Sequence, residues 1–192
     1  MDDSARETRT ILLAQSGDRA ALEELFVLVE APLRRYILSA VADRALAEDV
    51  LQEVFILIYR KLYWLRDPAL LRPWAYRIAS REIVRQLKRA RRWPDQFGED
   101  FAPESIPDAT REDSRPRLAD GLPELLARVS PASRMVLALH YLDELPLQEV
   151  ADVLGLPLGT IKSRLAYGLA ALRKEAREAR PPGNAQTRRV TR

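Results

Sequence analysis

Apolar residues recur along this chain at intervals of three and four, and long runs of alternating apolar and polar residues are absent. Ala, Leu, Glu and Arg dominate, and all of these favour helix, so the pattern predicts an all-α protein. Gly17-Asp18 reads as a stop followed by a cap, opening a helix through Leu22, Leu25 and Phe26. Pro32 is expected to break the chain before a helix from about Leu33 to Val41, because proline removes a donor from the helical ladder. A long helix is expected from about Ala45 to Tyr63, then a loop from Trp64 to Asp67 with Pro68 at its end, then a helix from about Leu71 to Arg92. Trp93-Pro94 closes this first domain, residues 1–93.

Residues 94–118 hold four prolines, few aliphatics and many charges, the composition of a flexible linker. A second helical domain is expected over 119–178, and the tail, 179–192, is expected to be disordered. Pro123, Pro131, Pro146 and Pro157 each stand where a helix can begin, since a first-turn proline forfeits no intrahelical bond. Ser130-Pro131 is the clearest cap among them.

Within the second domain, Leu147, Val150, Ala151 and Leu154 define one buried helical face. Gly155 supplies the left-handed turn that ends that helix, Leu156 a plug, and Pro157 the next start. Leu158, Ile161, Leu165, Leu169 and Leu172 share the inner face of the following helix. At 100° per residue Gly159, Thr160, Ser163 and Tyr167 point outward, flanked by Lys162 and Arg164. A helix polar and basic on its outer face fits the major groove. The same pattern also describes a helical hairpin with a solvated face.

The helix expected over 71–92 carries a basic stripe. Arg77, Arg81, Arg85 and Arg89 recur every four residues, with Lys88 and Arg92 in the same sector, over about 22 Å of helix. Tyr76, Ala79, Ile83 and Leu87 form the opposite, core sector, and Trp74 falls on the basic side, where a ring suits stacking on a base. Neither Arg81 nor Arg85 has an acidic residue four positions away to offset its charge, which favours a polyanionic partner over a merely basic surface. On the 45–63 helix, Val50, Leu51, Val54, Leu57 and Ile58 form a broad apolar arc. Asp49, Gln52, Glu53, Ile56 and Arg60 gather on the other side. Ile56 amid those charges reads either as the apolar centre of a small interface or as a single exposed isoleucine.

Charge distribution sharpens this picture more than net charge does. The net value is +3, yet residues 77–92 hold seven basic residues against Glu82 alone, and residues 94–114 hold seven acidic residues against Arg111 alone. A nucleic-acid face beside an acidic segment follows. There are no cysteines, so disulfides, thiolate metal sites and cysteine nucleophiles are excluded. No apolar signal region opens the chain and no stretch nears the ~20 apolar residues that span a bilayer, so a cytoplasmic protein without direct membrane contact is expected. The one histidine, His140, reads as structural, and no phosphate loop, metal-ligand cluster or nucleophile–base pair is present in the sequence. Neither an enzyme nor a cofactor is therefore expected.

Three stretches together resemble the extracytoplasmic-function (ECF) branch of the sigma-70 family of bacterial sigma factors. AEDVLQEVFILIYRKL at 47–62 is similar to the family's polymerase-binding helix, LLRPWAYRIASREIVRQLKRARR at 70–92 to its −10 recognition helix, and LPLQEVADVLGLPLGTIKSRLAYGLAALRKE at 145–175 to its −35 helix-turn-helix. The resemblance covers about Ile11 to Glu178. It implies a region 2-like bundle and a region 4-like helix-turn-helix domain joined by the acidic linker. It also implies core RNA polymerase (the β′ clamp helices and the β subunit), promoter DNA and an anti-sigma factor as partners. Asp49, Gln52, Glu53 and Ile56 would then dock on the clamp helices. Trp74, Arg77, Arg81, Arg85, Lys88 and Arg89, with the preceding loop, would serve the −10 element, and Thr160, Lys162, Ser163, Arg164 and Tyr167 the −35 element.

Where the family often has Asn and then Asp or Asn on the −10 helix, this chain has Arg81 and Arg85, which grip phosphate or favour guanine; a run of arginines is more a charge track than a code. The competing function is a stand-alone helix-turn-helix regulator, which would leave the 47–62 and 71–92 helices without a purpose.

Overall fold

The computed structural model describes residues 3–90, 92 and 129–178, and every regular element among them is helical. The expected linker at 94–118, Trp93-Pro94, Pro123 and the tail at 179–192 lie outside the described residues.

Helix α1 runs Asp3–Gln15 and stops at Gly17, whose φ of 92° only glycine adopts without strain. Asp18 then caps α2, its side chain accepting the Ala21 N–H at 2.9 Å. Helix α2 runs unbroken from Arg19 to Val41 with Pro32 inside it, so the expected break at Pro32 does not occur. The reason is burial. Leu25, Val29, Leu33, Tyr36 and Ile37 continue one stripe across the proline, each at most 2% exposed. An interior proline costs about 3 kcal/mol, whereas each such side chain contributes about 1.5–3 kcal/mol on burial.

Asp43 caps α3 (Arg44–Lys61) by accepting the Leu46 N–H at 3.0 Å. Two 3₁₀ turns follow, Leu62–Trp64 and Pro68–Leu70, the second capped by Asp67. Helix α4 spans Leu71–Arg89, a little shorter than expected. Val50, Val54 and Ile58 of α3 meet Ala79, Ile83 and Leu87 of α4 and the α2 stripe in the core. Gln15 pins α1 to the first turn by donating to the carbonyls of Leu62 and Leu65 at 2.9 and 2.7 Å.

In the second domain Ser130 caps α5 (Pro131–Leu137), accepting the Ser133 N–H at 3.3 Å. A π-helical turn, Ala138–Leu142, continues it, and His140 Nδ1 lies 2.8 Å from the Leu145 carbonyl, the structural role expected of it. Helix α6 (Leu147–Leu154) ends at Gly155 with φ 67°, and α7 (Leu158–Glu178) follows. Val150 and Ile161, fully buried, join the two, and Leu156 packs on the same core. Close approach of α7 to α5 requires Gly168, where a Cβ would stand 2.7 Å from Leu137 Cδ1. The domains pack directly on each other, α6 against α4 and α5 with the π turn against α2, so that the buried apolar residues of both form one cluster.

Candidate nucleic-acid and docking interface

The α4 stripe forms because four-residue spacing puts the cations in one sector while Tyr76, Ala79, Ile83 and Leu87 face the core, all four buried. Arg77, Arg81, Arg85, Lys88 and Arg89 are all exposed. Their circumstances differ. Arg81, Lys88 and Arg89 have no acidic partner among the described residues. Arg77 Nη2 donates to the Asp152 carbonyl oxygen of α6 at 2.9 Å. Arg85 is engaged twice over: its Nε and Nη2 donate to the Glu82 carboxylate at 2.7 and 2.8 Å, and Nη2 lies 3.7 Å from Glu53 of α3. Glu82 is 3% exposed and also accepts from Gln86 at 2.8 Å.

The expectation that Arg85 lacks a compensating carboxylate is therefore corrected. A search at four-residue spacing passes over a partner three residues back and another on the neighbouring helix. The hydrogen bonds to Glu82 and the attraction of Glu53 raise the Arg85 pKa.

Trp74 is also corrected. It is half-buried and packs on the core instead of standing free among the arginines. The exposed rings are Tyr63 and Trp64, 77% and 73% exposed in the turn before α4, edge to face with centroids 5.9 Å apart, with Tyr59 exposed nearby on α3. Periodicity misses them because they sit in a 3₁₀ turn. The available signal is two adjacent aromatic residues at the end of a helix with no apolar position for their rings to fill.

On α3, Asp49 and Gln52 are exposed, Ile56 is 42% exposed, and Glu53 is half-buried beside Arg85. The patch expected there is thus assembled on one face, with one of its two carboxylates leaning toward α4.

On α7, Lys162 and Tyr167 are exposed, while Thr160, Ser163 and Arg164 are half-buried. Ser163 Oγ donates back to the Gly159 carbonyl at 3.0 Å, which turns its hydroxyl along the helix. Burial lowers the Arg164 pKa.

A basic, aromatic-bordered helix in one domain and a helix-turn-helix in the other define a two-domain, all-helical DNA-binding protein. Family models sharpen this. Sigma-70 region 2 matches residues 22–93, and Sigma-70, region 4 matches residues 125–174. The chain is 31% identical over 173 residues to the ECF RNA polymerase sigma factor SigL of Mycobacterium tuberculosis, covering 86% of this chain and 94% of that one. It is 24% identical over 182 residues to the ECF RNA polymerase sigma factor SigW of Bacillus subtilis, covering 88% and 96%. Among solved structures, CnrH in complex with the cytosolic domain of CnrY shares the fold with a TM-score of 0.62 at 19% identity, covering 91% of this chain and 99% of that one. The chain belongs to the ECF group of sigma-70 RNA polymerase sigma factors, and acts in transcription initiation.

Proposed function

We propose that α3 docks on core RNA polymerase through Asp49, Gln52, Glu53 and Ile56, that α4 and the turn before it hold the −10 element, and that α7 holds the −35 element. What supports the −10 assignment is exposure on α4 and in the turn before it. The cations Arg81, Lys88 and Arg89, without an acidic partner among the described residues, are exposed on α4, and Tyr63 and Trp64 are exposed at the α3–α4 turn. Cations track the phosphates, and an exposed ring stacks on an unpaired base whatever its identity. Lys162, Arg164 and Tyr167, with Thr160 and Ser163 between, make the corresponding surface on α7. Arg85 is assigned to bracing α4 against α3 through Glu82 and Glu53, in place of direct DNA contact.

The working units are residues 1–93, the acidic linker 94–118, the helix-turn-helix domain 119–178 and the tail. The protein works by binding, without catalysis, in the cytoplasm where polymerase is; among the described residues no helix is long and apolar enough to cross a membrane. An anti-sigma factor is a further expected partner. A structural relative is a sigma factor, RpoE, in complex with the anti-sigma factor NepR from Bartonella quintana, with a TM-score of 0.62 at 23% identity, covering 82% of this chain and 98% of that one. A stand-alone regulator has no use for the region 2 half.

Run-off transcription with purified core polymerase tests the reading: promoter-specific transcripts are expected, and their absence with active core overturns it. Ile56→Glu should weaken core binding at least ~10-fold while leaving the melting temperature nearly unchanged, because a 42% exposed side chain contributes little to folding. Core binding unaffected by that change moves the docking face elsewhere.

A further inference from the structure

One member of the α3 docking patch is held by the protein itself. Among the described residues Asp49 and Gln52 have no side-chain partner, and Ile56 is exposed. Glu53 differs. Its side chain is 37% exposed and its carboxylate stands 3.7 Å from Arg85 Nη2, on the helix that carries the basic stripe. Arg85 reaches it in a fixed pose. Nε and Nη2 grip the Glu82 carboxylate at 2.7 and 2.8 Å, and Glu82, 3% exposed, is itself steadied by Gln86 at 2.8 Å. A two-point grip on a buried acid leaves the planar guanidinium one orientation.

Holding the helices together does not require this pair. Val54 and Ile58 of α3 and Ile83 and Leu87 of α4 are at most 1% exposed and set the spacing of the two helices from the core. An ion pair as open as Arg85–Glu53 adds little to stability. What it does set is the place of one carboxylate, which without a cation would sample several rotamers in solvent. The other flank of α3 offers a comparison. There Arg34 of α2 binds Glu48 at 2.7 and 2.8 Å and Glu30 at 3.0 Å, and Phe26 meets Phe55 edge to face at 5.3 Å, yet none of these residues belongs to the patch.

We propose that Arg85 is a positioning residue for polymerase docking: anchored on Glu82, it holds the Glu53 carboxylate in one orientation on the α3 face, set to accept from a cationic or N–H group of core polymerase. This role rests on the docking function proposed above for α3. Ordering a side chain before binding removes part of the entropy loss that binding otherwise incurs, worth roughly 2- to 10-fold in affinity for one side chain. The same role gives a use to an arginine that two carboxylates have neutralised, and it ties the docking face to α4 by a side chain as well as by the core. A lysine could not replace it, since a single ammonium drawn to the buried Glu82 has no second arm for Glu53.

Core binding by the full-length chain, followed by the anisotropy of a fluorophore on its N-terminal amine, tests this, with melting temperature measured alongside. Arg85→Gln, Arg85→Lys and Glu53→Gln should each weaken core binding roughly 2- to 10-fold. Once Glu53→Gln is present, either change at Arg85 should bring no further loss, because its path to polymerase runs through that carboxylate. Melting temperature should follow Glu82 instead. It should fall for Arg85→Gln in both backgrounds and much less for Arg85→Lys, which keeps a cation on the buried acid. A folding failure of the glutamine variant therefore leaves the lysine variant to decide. Arg34→Gln should leave core affinity unchanged.

Losses at Arg85 and Glu53 that add in full overturn the route through Glu53. A gain in core affinity on removing Arg85 overturns the positioning role, because it makes Arg85 a competitor of polymerase for that carboxylate. An Arg34→Gln loss as large as that of Arg85→Gln assigns the effect to the seating of α3 as a whole and overturns it too. Ile56→Glu separates the two levels. If it and Glu53→Gln both leave core binding intact, the docking role of α3 falls. If Ile56→Glu weakens binding while the Arg85 variants bind as the unaltered chain does, the positioning role alone falls.

Discussion

Helices α4 and α7 both display several cations, but they use them differently. On α4 the stripe divides into cations the protein has already engaged, Arg77 by a carbonyl and Arg85 by two carboxylates, and cations left open, Arg81, Lys88 and Arg89. On α7 the division is by burial: Lys162 stands in solvent and Arg164 is half-buried on its flank. A count of basic residues along a helix therefore overstates what reaches DNA, and the correction differs between helices. For α4 it is set by acidic neighbours off the four-residue spacing. For α7 it is set by depth.

The largest expected effect lies in what holds α4 together. Glu82 is a buried acceptor with three donors upon it, two from Arg85 and one from Gln86. Glu82→Ala should lower the stability of the first domain by about 3 kcal/mol, since bonds to a charged group are worth more than neutral ones. Urea unfolding measures it. A loss within error would mean that Arg85 is not braced, and the contrast drawn for α4 would fail.

On α7 the decisive residue is Arg164. Its removal should reduce −35 binding by about 2 kcal/mol if its guanidinium reaches a base edge. Because half of the side chain is packed, Arg164→Ala should also lower the stability of the second domain, whereas Lys162→Ala should leave stability alone and weaken binding equally on all sequences. Equal binding losses on specific and random DNA for Arg164→Ala would make the two residues alike and erase the difference in depth.

Much of this was legible in the sequence. Capping at Asp18 and Ser130, the buried faces of α3, α4 and α7, and the Gly155 turn follow from periodicity and local hydrogen bonding, which a sequence exposes directly. Pro32 misled because its cost is local while the burial that overrides it comes from the several other helices packed on α2. Arg85 misled because its main partner, Glu82, lies three residues back and not four, with Glu53 of α3 as a weaker second; Trp74 misled because a helical wheel knows angles but not the core packed beneath it. Asp143, whose side chain is only 1% exposed, gave no signal at all. Its partners, Arg35 and Tyr76, lie more than sixty residues away, on helices whose packing no spacing rule reports.

Smaller effects test which α4 cations are open. Each neutralised phosphate steepens the dependence of log K on log salt by about 0.7 to 0.9. Arg81→Gln should flatten the slope of holoenzyme binding by about one such unit, and Arg85→Gln by much less, since that side chain is already neutralised. The double variant should therefore lose about one unit, not two. A loss of two would return Arg85 to the phosphate track. Loss of guanine preference at a −10 position with an unchanged slope would make the middle arginines base readers instead.

The smallest expected effect concerns Arg77, held by the Asp152 carbonyl where the two domains pack together, and Asp143, which pairs with Arg35 of α2 across the same contact. Burial raises the Asp143 carboxyl pKa above its ordinary value, and the Arg35 pair opposes this without cancelling it. The groups facing it are Arg35 and Tyr36 from α2 and Arg72 and Tyr76 from α4, with His140 and Glu144 on its own segment. Burial pushes both tyrosines up and keeps them neutral, so they hold no charge to offset the acid. With the domains apart the carboxyl is solvated and titrates near the usual ~3.9. The packed domains thus bind the proton more tightly than the separated ones. Packing is favoured as pH falls through the raised pKa, and that contribution is lost as pH rises above it. The sign also fixes the behaviour of a neutral isostere. Asp143→Asn should keep the domains packed at neutral pH, at least as fully as the unaltered chain, because it removes the cost of burying charge and keeps an acceptor for Arg35. Spin labels on Val27→Cys of α2 and Lys174→Cys of α7, both exposed, report the separation of the domains. Label distances recorded from neutral pH down toward about 4.5 should narrow for the otherwise unaltered chain and stay constant for Asp143→Asn, an interval chosen to lie above the usual carboxylate value. If the asparagine variant follows pH as the unaltered chain does, Asp143 is not the titrating group.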